Sequence, residues 1–164
     1  LATAWSREGR LQGRRDEPLL RPAVADPALG ARLAPLRDLA AWCSTLRRTR
    51  ETAALFGRED AVPSPLLDEL DFGPFEGRTR EELLTATGGR WVSDPFATTL
   101  APALAELEGR IWRFIEEARA GRGPALLFGH GVWIRLFATL ATGRPRGLVN
   151  QMDLPTGGIL EVEL

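Results

Sequence analysis

In Leu126-Leu127-Phe128-Gly129-His130-Gly131-Val132-Trp133-Ile134-Arg135 an apolar run stops at His-Gly and an amphipathic stretch opens directly behind it. A short run of this kind bounded by glycine is a buried strand, and the residues behind it have helical spacing. The junction therefore delivers His130 to the carboxyl end of a strand in an open α/β sheet, where such folds form their ligand crevices. His130 is also the only histidine in the chain. Its imidazole titrates near neutrality and suits proton transfer or anion binding. A core histidine satisfied by a backbone carbonyl is the alternative, and the flanking glycines weigh against it by stripping bulk from around the ring.

Outward from this junction, short apolar runs alternate with helical patterns, so the expected class is α/β with a layered, mostly parallel central sheet. Leu39 to Cys43 reads as a buried strand, with Ser44 capping a helix from Thr45 to Phe56 that Gly57 stops. Ala61 to Leu67 is a proline-broken connector with one edge strand. A helix from about Arg78 to Thr87 ends at Gly88-Gly89. From Pro102 to Arg119, Leu104, Leu107, Ile111, Phe114, Ile115 and Ala118 recur at helical spacing with Glu and Arg between them. Gly121-Arg122-Gly123-Pro124 then turns the chain into the strand before His130. Val132 to Thr142 is the helix after that strand, and Ile159 to Leu164 alternates as a final strand.

Composition narrows the classes of function. The chain has 164 residues, 44% of them hydrophobic, which suits one globular domain. All 21 basic residues are arginine, against 22 acids, for a net charge of -1, so no overall field favours nucleic acid or an anionic membrane. A single cysteine, Cys43, rules out an internal disulfide and makes a reducing cytoplasm the default location. No apolar run reaches the roughly 18 residues of a membrane span. One His and one Cys far apart offer no metal-ligand spacing, so no metal or other cofactor is expected.

Three further segments carry chemistry. Thr3 to Leu19 is polar, punctuated by Gly9 and Gly13, and too irregular for helix or strand; it reads as a long surface loop. Cys43 to Ala53 places a helix start behind a strand, so free N–H groups and arginines in the first turn present a phosphate-binding geometry, unless those arginines are merely solvated. Leu67 to Gly77 holds several carboxylates beside Phe72 and Phe75, where burial suits one of them to general-acid work. Acids on an exposed loop are otherwise ordinary, and Glu69 matters only if it faces the same crevice. Trp91 and Trp133 fit a dimer surface as well as they fit the core or a pocket cover.

The order and spacing of these four segments resemble the histidine phosphatase superfamily, the phosphoglycerate-mutase-like fold, in its small phosphatase branch. Thr3, Trp5, Gly9, Arg10, Gln12, Gly13, Asp16, Pro18 and Leu19 match the family's opening motif. Cys43 to Ala53 match the second motif, with Arg48 on its pocket arginine. Leu67, Glu69, Phe72, Gly73, Glu76 and Gly77 match the third, and His130 to Arg135 match the fourth. The resemblance implies a three-layer αβα sandwich and hydrolysis of small phosphorylated metabolites through a phosphohistidine. It implies catalytic roles for His130, Arg48 and Glu69, with Arg10, Gln12, Gly13, Ser6 and Gly131 binding substrate. Substrates on that model include α-ribazole phosphate or a sugar phosphate, for a monomer or homodimer. Replacing Arg48 by alanine should then cost turnover while leaving stability nearly unchanged. Absence of turnover in the native chain would leave a phosphate-binding pseudophosphatase instead. A phosphoglycerate mutase would need insertions for which 164 residues leave little room.

Two departures accompany the matches. The family's nucleophilic histidine, in Arg-His-Gly, belongs just ahead of Thr3, where Leu1 and Ala2 stand. Its Pro-Gly-Gly-Glu-Ser stretch belongs where Pro102 runs almost straight into a helix. Inserting about four residues at each place restores both motifs. Deleting a central strand would orphan buried backbone groups at about 1–3 kcal/mol each. The expectation is therefore a single histidine-phosphatase domain over residues 1–164 whose first strand and short loops lie outside these residues. An intact mass well above 18.0 kDa would show it.

Overall fold

The computed structural model describes residues 1–120, 123–155 and 157–164. Three strands form one open, all-parallel sheet in the order β2-β1-β3: β1 is Ala40–Cys43, β2 is Val62–Pro63 and β3 is Ala125–Phe128. Trp42 stands opposite both Val62 and Leu127, and Cys43 opposite both Pro63 and Phe128. β2 ends on a proline and takes the edge position that a missing N–H allows.

Seven α-helices are described, and the third, fourth, sixth and seventh are those that the sequence pattern gives. α1 is Ala4–Arg7, α2 is Pro27–Leu33, α3 is Arg47–Leu55, α4 is Arg80–Ala86, α5 is Arg90–Ser93, α6 is Ala101–Arg119 and α7 is Gly131–Ala141. Successive side chains of a strand point to opposite faces. Cys43 and Phe128 accordingly pack with Ala53 of α3 and Phe56, whereas Trp42 and Leu127 pack on the other side. That second side is the main core, built from Leu104, Leu107, Ile111, Phe114 and Ile115 of α6 with Val132, Trp133, Leu136 and Phe137 of α7. The result is a mixed α/β arrangement of helix, sheet and helix pair. Its topology places the ends of β1 and β3, and the starts of α3 and α7, side by side.

Several expectations need correction. Ile159 to Leu164 is not a strand: only its Val162 packs against the main core, and its backbone joins no ladder. Alternating sequence makes a strand only where a partner edge is in reach. α3 starts at Arg47, with Leu46 at its N-cap, because Ser44 is committed elsewhere. Thr3 to Leu19 is not wholly irregular, since Thr3 and Ser6 form a reciprocal capping box that starts α1. Backbone bridges then tie Thr3 to Leu19 and Arg10 to Thr79. Trp91 and Trp133 are buried in the core. The expected turn at Gly121-Arg122 lies outside the described residues.

Candidate active site

β1 and β3 end next to one another, so the residues just beyond them meet. His130 sits at the N-cap of α7 in extended backbone, and its ring is almost wholly buried. Arg48, in the first turn of α3, donates from Nε to His130 Nδ1 at 3.2 Å. Nδ1 must therefore be the acceptor nitrogen, which leaves the proton on Nε2. Nε2 lies 2.7 Å from Ser44 Oγ, which also accepts from the Leu46 N–H. Ser44 in turn stands 2.8 Å from Thr49 Oγ1, and Thr49 donates to the Leu46 carbonyl at 2.9 Å. Each proton along this chain of bonds then has an acceptor. The imidazole is thus held as a single tautomer.

Electrostatics point the same way. Burial above all, followed by the charges of Arg48, Arg110 and Arg14, pushes the imidazole well below its ordinary value of 6.5. Burial also lowers the guanidinium of Arg48, while the carboxylates of Glu69, Asp16, Glu76 and Asp68 oppose the shift. His130 is consequently neutral beside a permanent cation. A histidine protonated in the unfolded chain but neutral in the fold costs stability on acidification. Below pH 6.5 the unfolded state binds the extra proton, so stability should fall with pH by up to about 1.4 kcal/mol per unit from this residue alone. Thermal unfolding of the wild type and His130→Gln between pH 7 and pH 5 checks this: the variant should lose the His130 part of the slope, and parallel curves would contradict the burial of a neutral ring.

The remaining predicted residues fall into two groups. Gly13 joins His130 and Arg48 through its carbonyl, which accepts from Arg48 Nη2 at 2.8 Å, while Arg48 Nη1 donates to the Arg15 carbonyl at 2.7 Å. Gly131 is the first residue of α7. Glu69 stands over the start of that helix: Oε2 accepts from Val132 N–H at 3.1 Å, and Oε1 accepts from Trp133 and Leu70 N–H, both at 3.0 Å. Ser6, Arg10 and Gln12 form no hydrogen bond to this cluster. Ser6 caps α1, Gln12 accepts from Thr3 Oγ1, and Arg10 is exposed with its bonds to Glu8 and the Gly77 carbonyl.

The start of α3 also differs from expectation. Arg47 N–H, at the first residue of α3, is taken by Asp16 Oδ1 at 2.6 Å, and Thr45 N–H, two residues ahead of the helix, by Asp68 Oδ1 at 2.8 Å. Carboxylates from distant loops occupy the positive end of the helix. Asp68 is further held by Arg14 at 2.7 Å. Ser44, Thr49, Asp16 and Asp68 are therefore site residues that sequence reasoning missed. The signal for Ser44 was its place directly behind β1; Asp68 adjoins Glu69. Among the described residues no group of three or more His, Cys, Asp or Glu side chains is placed to hold a metal ion. Nor does any described helix have the length and apolarity to cross a membrane. Chemically, the arrangement is a donor set: a guanidinium with Nε on the imidazole and its two outer nitrogens on the Arg15 and Gly13 carbonyls.

Comparison with known proteins gives the family. The model of the histidine phosphatase superfamily, branch 1, matches residues 2–164. The chain belongs to that superfamily, and the match supports phosphatase activity. Among solved structures, TTHB049 from Thermus thermophilus is 33% identical with a TM-score of 0.65, covering 87% of this chain and 80% of that one. The Rv3214 protein of Mycobacterium tuberculosis superposes with a TM-score of 0.76 at 24% identity, over 93% of this chain and 81% of its own. A mycobacterial glucosyl-3-phosphoglycerate phosphatase in complex with VO3 gives a TM-score of 0.75 at 20% identity, over 93% and 83%. The fold is therefore that of phosphoglycerate-mutase-like phosphatases. No curated protein sequence matches the chain significantly.

Proposed function

We propose that this protein hydrolyses phosphate monoesters of small metabolites through a phosphohistidine. The observation that carries the reading is the contact between Arg48 Nε and His130 Nδ1 at adjoining strand ends, with Glu69 bound to the first turn of the helix that His130 opens. In this mechanism an imidazole nitrogen attacks phosphorus in line, the P–N bond forms and the P–O bond to the leaving group breaks. Glu69 gives its proton to the departing alkoxide. Water then attacks the phosphohistidine, Glu69 takes its proton, and phosphate and free imidazole are released. Arg48 holds the equatorial oxygens, where charge is greatest in the transition state, and His130 joins it on exchanging its Nε2 bond to Ser44 for one to the anion. The attacking imidazole in this reading is not His130 but the histidine that the resemblance to the family implies ahead of Thr3, where this sequence has Leu1 and Ala2. Fixed cationic donors fill the role that a metal ion has in other phosphoryl-transfer sites.

Substrate binding requires the Gly13 and Arg15 carbonyls to leave the guanidinium, because they occupy the directions an anion's oxygens would take. Gln12, Arg10 and Ser6 lie on the same loop and would then approach the substrate. The substrate class is a small phosphorylated metabolite such as α-ribazole phosphate or a sugar phosphate. The shared fold of the glucosyl-3-phosphoglycerate phosphatase supports that class. The single reduced thiol of Cys43 supports a cytoplasmic location.

A second reading is a phosphate-binding protein without turnover. It is favoured by one observation: both ring nitrogens of the only histidine are already hydrogen-bonded. Hydrolysis of p-nitrophenyl phosphate with and without EDTA separates the two. Metal-independent release is the expected result. Absence of release under both conditions, with phosphate still bound, would replace the first reading by the second.

A further inference from the structure

α6 contributes one charged residue to the buried interior, and it faces the loop that carries Glu69. Arg110 is only 4% exposed, although it lies in the stripe formed by Leu107, Ile111 and Phe114. Its Nη1 donates to the Asp68 carbonyl at 2.6 Å and to the Pro65 carbonyl at 3.2 Å, and its Nη2 donates to the Glu69 carbonyl at 3.1 Å. Nε is held by Glu106 at 2.8 Å, which fixes the plane of the fork. A planar guanidinium with several donors is the one side chain that can take up this many carbonyls of a single turn at once.

The placement is selective. Arg110 binds the backbone of residues 65–69, and the Glu69 carboxylate then reaches the opposite way, to the N–H groups of Val132 and Trp133. Trp133 returns the contact, its Nε1 donating to the Leu66 carbonyl at 2.7 Å. The loop is clamped between α6 and α7, with the carboxylate on the His130 side. Burying an arginine is costly unless its donors are used. Here all the carbonyl acceptors come from the loop that carries the acid.

We infer that Arg110 is a positioning residue for Glu69: it fixes the main chain of the acid-bearing loop from behind so that the carboxylate stands where a leaving group departs. The inference rests on the phosphatase reading. Loss of Arg110 should then depend on the leaving group rather than fall uniformly, because an alkoxide needs a proton as it leaves whereas p-nitrophenolate hardly does. General-acid assistance is worth about 10²–10⁴-fold.

Arg110→Met and Arg110→Lys should be assayed on β-glycerophosphate and on p-nitrophenyl phosphate, below their melting temperatures, with Glu69→Gln alongside. The expected result for Arg110→Met is a kcat loss at least roughly tenfold greater on the alkyl ester than on the aryl ester, the same selectivity as in Glu69→Gln, with KM little changed. Arg110→Lys, which keeps the charge but not the fork, should recover part of the loss. Equal losses on both esters in a folded variant would overturn the inference and leave Arg110 a structural residue. A wild type that releases no phosphate from either ester would overturn the phosphatase reading, and this inference with it.

Discussion

Arg48→Ala should lower kcat/KM for p-nitrophenyl phosphate by about 10²–10³-fold, the usual loss when one preorganised donor to a developing charge is removed. The effect is expected mainly in kcat, because a charge that grows in the transition state is stabilised less in the ground state. Stability should change as well. The sequence alone suggested a pocket arginine whose removal leaves the fold untouched, yet Arg48 is 8% exposed and holds the Gly13 and Arg15 carbonyls and the His130 ring. Leaving those acceptors without a donor should cost about 1–3 kcal/mol. The variant also removes one of the positive charges that depress the imidazole, so the folded-state pKa of His130 should rise toward its unfolded value. The pH window over which acidification costs stability should narrow accordingly. Wild-type turnover in this variant would remove Arg48 from the reaction.

How much of this was legible in the sequence depends on what kind of signal each residue gives. His130 and Arg48 announced themselves because each follows a strand pattern at a strand-to-helix junction, and parallel strands bring such junctions to one edge of the sheet. Glu69 was visible only as one carboxylate among several in its loop. Its partners, the Val132 and Trp133 N–H groups, are main-chain atoms that no residue type reveals. Ser44 looked like a helix cap because serine behind a strand usually is one. Tertiary contact with a ring 86 positions away decided otherwise. Arg110 did give a signal: an arginine three residues after Leu107 and four before Phe114 sits on the apolar face of its helix. The final alternating segment, Ile159 to Leu164, had the right pattern and no partner edge.

Trp133→Ala should be strongly destabilising, by about 3–5 kcal/mol in urea unfolding. The side chain is 1% exposed, stacks on Phe137 with ring centroids 5.0 Å apart and meets Phe114 edge-on at 5.6 Å. It also supplies the Nε1 proton to the Leu66 carbonyl. For a domain stable by about 5–15 kcal/mol, that loss is a large share of the total. Trp133→Phe should lose less area but still remove the shorter of the two hydrogen bonds to that carbonyl, which keeps only Arg110 Nη1 at 3.4 Å, at about 0.5–1.5 kcal/mol. If both variants melted like the wild type, the packing of α7 against α6 and the Glu69 loop would be misassigned. Because that loop carries the proposed acid, the same contact couples the core to the site.

The claim on which the function depends is that Arg48 and His130 address one tetrahedral anion. Equilibrium titration with orthophosphate tests it without requiring turnover. One site per chain is expected, with an affinity that drops at least roughly tenfold in Arg48→Ala, a difference of about 1.4 kcal/mol or more. Phosphate that fails to bind the wild type, or binds wild type and variant equally, would contradict it.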